Sequence, residues 1–347
     1  MVIQWWKMIR EAIDAVVSGR SLPMEEAAGV MREIMDGQAT PGQLGAFLTA
    51  LRVKGETVEE IAGFVTVMRD KALKVNVAGK LVDTVGTGGD GHNTFNISTA
   101  TAFVAAGAGL KVAKHGNRAA SSACGAADVL EALGVKFDLP PDGVERCINE
   151  IGIGFMFAPT FHASTRHAAP VRREIGIRTV FNVLGPLTNP AGAQYLLLGV
   201  AYPELGQTIA EVLRLLGAHH AIIVHGHGGL DEISLSGDTS VWEMQGDEVR
   251  TWKLTVKDTG LPEHSIEDIR GGSKEENAAT MRRLLRGEPG PVRDFVLANA
   301  AAALLIGELV QTIRQGVELA AQVIDSGAAR DKLDALAELS QRLGRAA

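Results

Sequence analysis

The chain has 347 residues, 46% hydrophobic and 22% charged, enough apolar material for about two domains and too much for a disordered protein. Its net charge of −7 argues against a general nucleic-acid binder, which shows a basic face, but leaves room for a local basic pocket. Forty glycines beside 5% aromatics suit an α/β enzyme built on tight turns.

Two widely spaced cysteines, Cys124 and Cys147, make neither a metal cluster nor a disulfide framework, so a reducing cytoplasm is the expected compartment. The N-terminal run around Trp5 and Trp6 lacks the apolar core of a secretory signal. No apolar stretch approaches the roughly 18 residues of a membrane span.

Residues 1 to about 75 read as short amphipathic helices. Thr40-Pro41-Gly42-Gln43 offers an N-cap, a proline at the first helical position and a capping-box partner; Thr57-Val58-Glu59-Glu60 repeats the box before Ile61, Phe64, Val65 and Met68. Gly19 and Gly37 stand where helix C-termini should fall. This predicts a small helical domain, 1–77, whose apolar surface and paired tryptophans suit either a core or a subunit interface.

From about residue 80 strands and helices alternate. Leu81 to Val85 is a strand, Ser98 to Gly107 a small-residue helix, and Lys111 to Lys114 a second strand. Val129 to Leu133 belongs to a helix. Leu196 to Ala201 and Ala221 to His225 are strand-length apolar runs around a helix from Pro203 to Leu216, and the stretch from Glu275 is again helical. The pattern predicts a larger α/β domain, 78–347, with a mostly parallel central sheet. Pro186 and Pro190 mark a turn-rich crossing, where the chain is expected to return to the helical domain near 175–193.

Five segments carry chemistry. The strand at 81–85 runs into Gly86-Thr87-Gly88-Gly89-Asp90-Gly91. Gly86, Gly88 and Gly91 satisfy the dinucleotide pattern, but no helix opens at the third glycine and Lys111 occupies the region where an acid is needed about 20 residues on. A loop whose N–H groups approach a polyanion remains, against an ordinary glycine turn. Asn93 to Ala100 follows, at a helix start whose free N–H groups suit phosphate; taken alone, Ser98 or Thr99 merely caps the helix. Lys114-His115-Gly116-Asn117-Arg118-Ala119-Ala120-Ser121-Ser122 sits at a strand end and supplies charge and hydroxyls. The 161–174 segment holds His162, His167 and Arg172; the histidines lack metal spacing, and an arginine fork there can clamp a carboxylate. Finally, Asp231 and Glu232 on a glycine-rich loop can hold hydrated Mg²⁺ beside phosphate oxygens, although such a pair alone is more often solvated.

Taken in order, G-T-G-G-D, N-x-S-T, K-H-G-N-R-x-x-S-S, the 180–190 V-F-N-V-L-G-P-L-T-N-P run and L-D-E resemble the anthranilate phosphoribosyltransferase family across nearly the whole chain. The resemblance implies a homodimer of the architecture shared with pyrimidine nucleoside phosphorylases, with the site in the interdomain cleft. It implies that 5-phosphoribosyl 1-diphosphate (PRPP) meets Gly86, Gly89, Asp90, Thr94, Asn96, Ile97, Ser98, Thr99, Lys114, His115, Gly116, Asn117, Arg118, Ala119, Ala120, Ser121, Ser122 and Ala126. Anthranilate is implied at Gly86, His115, Asn117, His162 and Arg172, and Mg²⁺ at Ser98, Asp231 and Glu232. No covalent or acid–base residue is implied. Ala126 replaces a frequent serine and Thr165 an occasional aromatic of the family pattern. Two rival functions share or neighbour this fold: a pyrimidine nucleoside phosphorylase, and a non-catalytic nucleic-acid-binding relative, which the acidic charge and the presence of Asn117 and Arg172 disfavour. Neither membrane nor nucleic acid is an expected partner.

Overall fold

The structure is a computed structural model, and it describes residues 8–119 and 123–346; Trp5, Trp6 and the 120–122 part of the expected phosphate loop lie outside them. Four helices open the chain: α1 (Met8–Val17), α2 (Met24–Met35), α3 (Pro41–Lys54) and α4 (Val58–Lys71). Both expected capping boxes form, Thr40 with Gln43 and Thr57 with Glu60. Glu60 does more than cap. Fully buried, its carboxylate accepts from the Thr57 amide, the Leu22 amide 2.9 Å away and the Lys54 ammonium 3.0 Å away, tying α4 to the α1–α2 turn. Gly19 and Gly37 adopt the positive φ that ends helices.

The second part alternates β1 (Leu81–Gly86), α5 (Ile97–Gly107), β2 (Lys111–Gly116), α6 (Ala126–Ala132), α7 (Pro141–Ile151) and β3 (Ile153–Phe157). Short helices α8 (Ala158–Phe161), α9 (Ala169–Ile175) and α10 (Phe181–Leu187) then lead to β4 (Tyr195–Gly199), α11 (Glu204–Leu215) and β5 (His220–His225). A hairpin, β6 (Thr239–Gln245) and β7 (Glu248–Leu254), precedes α12 (Val256–Thr259), α13 (Lys274–Leu284), α14 (Pro291–Ile306), α15 (Ile313–Asp325) and α16 (Ala328–Ala346).

The sheet runs β3-β2-β1-β4-β5-β6-β7, parallel as far as β5 and antiparallel at the last two strands. Sequence reading found neither β3 nor the hairpin. The hairpin turns through Gly246-Asp247, a two-residue loop of recognised type, so its signal was present.

Each sheet face is covered by its own core. Beneath one lie α5, on β1 and β2, and α14, on β4 and β5, whose alanine-rich faces permit close packing on the sheet and on one another. The other face presents Leu196, Leu198, Ala221 and Ile223 to a core shared by α2, α4, α10 and α11. Residues of α9 and α10, Val171, Phe181 and Leu184 among them, therefore pack with the N-terminal helices, as a chain returning from the sheet would.

Candidate active site

The strand order reverses at β1, which has β2 on one side and β4 on the other, and ligands of open α/β sheets bind at such reversals, beyond the carboxyl ends of the strands. There Gly86 ends β1 directly opposite Gly199, which ends β4. Asp231 lies on this pair: a methyl group built at Gly86 would overlap its Oδ2, and one at Gly199 its carbonyl oxygen. The two glycines thus make the space that seats the acid. Gly199→Ala is expected to force the 230–232 loop off the sheet end, at a cost of about 1–3 kcal/mol, read as a lowered melting temperature; an unshifted transition would show that the loop yields freely.

Two backbone amides hold the acids in place. Gly88 N–H donates to Asp231 Oδ2 at 2.7 Å, and Ser98 N–H, in the first turn of α5, donates to Glu232 Oε1 at 3.0 Å. The N-cap of α5 is Asn96, whose side chain instead bonds the Cys124 carbonyl and receives the Asn277 amide. Ser98 and Thr99 therefore do not cap the helix. The Ser98 hydroxyl accepts from Lys114, and Thr99 is buried with its hydroxyl unpartnered.

Negative charge is in excess here. Burial and the facing Asp90 push the Asp231 carboxyl up to about 7, and burial with the Asp231 charge raises Glu232 well above the usual range. Asp90 Oδ2 is itself buried without a partner. Lys114 answers part of this charge. Its ammonium is buried against the Thr84 carbonyl at 2.6 Å, and burial lowers its pKa against the opposing pull of Asp83 and Glu232. Such a set of hard oxygen donors with surplus charge fits a divalent cation. Among the described residues no three His, Cys, Asp or Glu side chains form a ready cage.

On the opposite side of β2 lies a different environment. His115 and His162 face each other at 5.1 Å between ring centroids. Carbonyls of Gly185 and Thr188 accept from them, and both Nε2 atoms are buried without partners. Burial holds both imidazoles neutral, with pKa values lowered to about 3 and about 4. Each then keeps an unused Nε2 lone pair. Arg172, on α9, lies over the Phe181 ring at 5.0 Å, partly buried.

The structure treats the remaining expected residues unequally. Gly116 ends β2, and Gly89, Asp90, Thr94, Asn117 and Ala119 lie on the segments beyond the strand ends, while Ala126 packs under Gly116. The Ile97 side chain is buried, which leaves only its backbone for a ligand. Arg118 departs most from expectation: its guanidinium pairs with Asp128 at 2.6 Å and Glu131 at 2.9 Å and stacks on Phe137, which turns it toward α6.

Two residues given no role from sequence stand out. Asp83, fully buried with its carboxyl raised to about 6, accepts from Asn189 at 2.7 Å and from the His115 amide at 3.3 Å, fastening the crossing segment to β1 and β2. An acid inside the apolar 81–85 strand was a visible anomaly. His92 Nε2 lies 2.8 Å from the Gly228 carbonyl and links the glycine loop to the loop bearing the acids; nothing in sequence marked that contact.

The site thus brings glycine-rich loops, a buried lysine and an acidic pair together at a strand-order reversal, and the sequence matches place it in a glycosyltransferase. Residues 78–330 match the family described as glycosyl transferase family, a/b domain, and residues 10–72 its helical bundle domain. An anthranilate phosphoribosyltransferase of Dehalococcoides mccartyi is 56% identical over 338 residues, 97% of this chain and 99% of that protein. One of Thermomicrobium roseum is 55% identical over 344 residues, 98% of this chain and 99% of its own length. The crystal structure of the Thermus thermophilus enzyme superposes with a TM-score of 0.91 at 45% identity, covering 95% of this chain and 99% of that one. That of Saccharomyces cerevisiae, in complex with PRPP and Mg, gives 0.90 at 31% identity, covering 97% and 99%. The chain belongs to the anthranilate phosphoribosyltransferase family.

Proposed function

We propose that the protein transfers the 5-phosphoribosyl group of PRPP to the amine of anthranilate, giving N-(5-phosphoribosyl)anthranilate and diphosphate, the phosphoribosyl-transfer step of tryptophan biosynthesis. The observation that carries this reading is the pairing of two unlike half-sites across β1 and β2: amide-held acids and a buried lysine on one side, neutral imidazoles and an arginine on the other. The yeast relative's complex with PRPP and Mg supports the first half, and its complex with 4-fluoroanthranilate the second.

Gly86, Gly89, Asp90, Thr94, Asn96 and the Ile97–Thr99 start of α5 border the diphosphate and phosphate groups, with Lys114 supplying fixed positive charge as the leaving group departs. Gly116, Asn117 and Ala119, at and just beyond the end of β2, border the ribose phosphate with Ala126. Ser98, Asp231 and Glu232 hold Mg²⁺, which when bound neutralises the diphosphate. Arg172 pairs with the carboxylate of anthranilate, while Asn117 and Gly86 border its ring. The arylamine is neutral at pH 7, so its nitrogen lone pair forms the bond to the anomeric carbon as the bond to diphosphate oxygen breaks, and the proton the nitrogen then sheds passes to the released diphosphate or to water. Imidazoles as weakly basic as His115 and His162 act here as hydrogen-bond acceptors that orient the amine. Holding both substrates in line supplies most of the remaining rate. The helical unit, 1–77 with 175–193, is proposed to be a domain distinct from the α/β unit, and the protein to act as a homodimer.

The test is the loss of anthranilate fluorescence on mixing protein with PRPP and Mg²⁺. Loss that requires both, and that EDTA stops, is the expected result. A folded protein that instead splits thymidine with phosphate would be a nucleoside phosphorylase and would refute this reading.

A further inference from the structure

The substrate-facing arginine of α9 sits on a segment with no covalent anchor to the sheet for many residues on either side. Gly176, in the left-handed conformation at φ 67°, ends α9, and the chain turns through Ile177 and Arg178 before the Asn182 side chain caps the Thr179 amide at 3.0 Å. One side chain of this turn reaches the α/β unit. The Arg178 guanidinium lies 3.5 Å from the ring centroid of Tyr202, just beyond β4. Its Nη1 is buried without a hydrogen-bond partner, and Glu204, 3.9 Å from Nη2, is largely exposed. The ring face is therefore the main thing that holds this arginine.

Tyr202 is tied in turn to the diphosphate side. The amide of its neighbour Ala201 donates to the Thr87 hydroxyl at 3.3 Å, and the Thr87 amide donates to the Gly199 carbonyl at 2.9 Å. From Thr87 the chain passes to Gly88, whose amide bonds Asp231.

We propose that the Arg178–Tyr202 stack is the clamp that sets the acceptor-binding arm, α9 with Arg172, against the glycine loop, making both side chains positioning residues for the aromatic acid. This inference rests on the activity proposed above. A cation held face-on to an aromatic ring and short of hydrogen bonds draws its attraction from the ring's π-electrons, not from the phenol hydroxyl. The test follows from that distinction.

Steady-state kinetics of Tyr202→Phe, Tyr202→Leu and Arg178→Lys, each checked for an unchanged melting transition, would measure it. Tyr202→Phe keeps the ring and should match the parent protein. Tyr202→Leu and Arg178→Lys, which lose the flat stack, should raise the anthranilate KM about threefold to tenfold with kcat and the PRPP KM unchanged. An unaltered anthranilate KM in the leucine variant overturns the clamp. So does a phenylalanine variant as impaired as leucine, or a PRPP KM that rises in step with that of anthranilate. A parent protein that never consumes anthranilate defeats the activity reading itself, an outcome seen before any variant is made.

Discussion

Asp231→Asn is expected to lower Mg²⁺-dependent turnover by at least about 10²-fold while raising the melting temperature of the metal-free protein by a few degrees. The two effects have one cause. Asp231 lies on the Gly86–Gly199 pair facing Asp90, and its burial beside a like charge is what pushes its carboxyl up to about 7. Without a cation that arrangement costs stability, and the isosteric amide removes the cost while its oxygen can still accept from Gly88. Glu232→Gln should lose as much activity but gain less stability, because the Glu232 charge also offsets the buried ammonium of Lys114. Thermal unfolding in EDTA and turnover with added Mg²⁺, measured on one preparation, check both. An Asp231→Asn protein that melts below the parent would show that the acid is structural, with its charge already balanced; one with full turnover would remove it from the metal site.

Sequence made the elements with local chemistry plain. The capping boxes at Thr40 and Thr57 are decided within four residues, and both form as read. The Gly86–Gly91 loop, the Lys114–Asn117 strand end and the Asp231-Glu232 pair could be singled out because each is a compact run of residue types with one chemical purpose. Their convergence could not be read this way. That Gly86 stands opposite Gly199 depends on the register of β1 with β4, strands separated by more than a hundred residues, and the need for glycine at 199 appears only when Asp231 is seen above it. The same holds for Asp83, whose partners Asn189 and His115 come from distant segments. Arg118 shows the converse. In sequence it is one more cation beside a phosphate loop, yet Asp128 and Glu131, placed one turn apart on α6, draw it aside. Strand β3 went unread because a five-residue apolar run carries no periodicity of its own.

Arg172→Ala is the variant expected to separate the two half-sites. Arg172 lies partly buried over Phe181, and burial lowers its pKa, so a carboxylate arriving there meets a partly desolvated guanidinium. A charge-assisted, two-pronged pair in such a place is worth several kcal/mol, and each 1.4 kcal/mol is about tenfold in affinity. The anthranilate KM should therefore rise on the order of 10²-fold, with the PRPP KM unchanged, since Lys114 and the glycine loop, the groups proposed to meet the diphosphate, lie on the other side of β2. Arg172→Lys should fall between, keeping the charge but losing the planar fork. Aniline sharpens the test because it offers the same nucleophile without the carboxylate. The parent protein should use it poorly, and Arg172→Ala no worse than the parent, since the group the arginine holds is missing from the substrate. If the alanine variant lost aniline turnover as well, Arg172 would be acting on the reacting centre or on the fold of α9, and the carboxylate clamp would have to be sought elsewhere in the cleft.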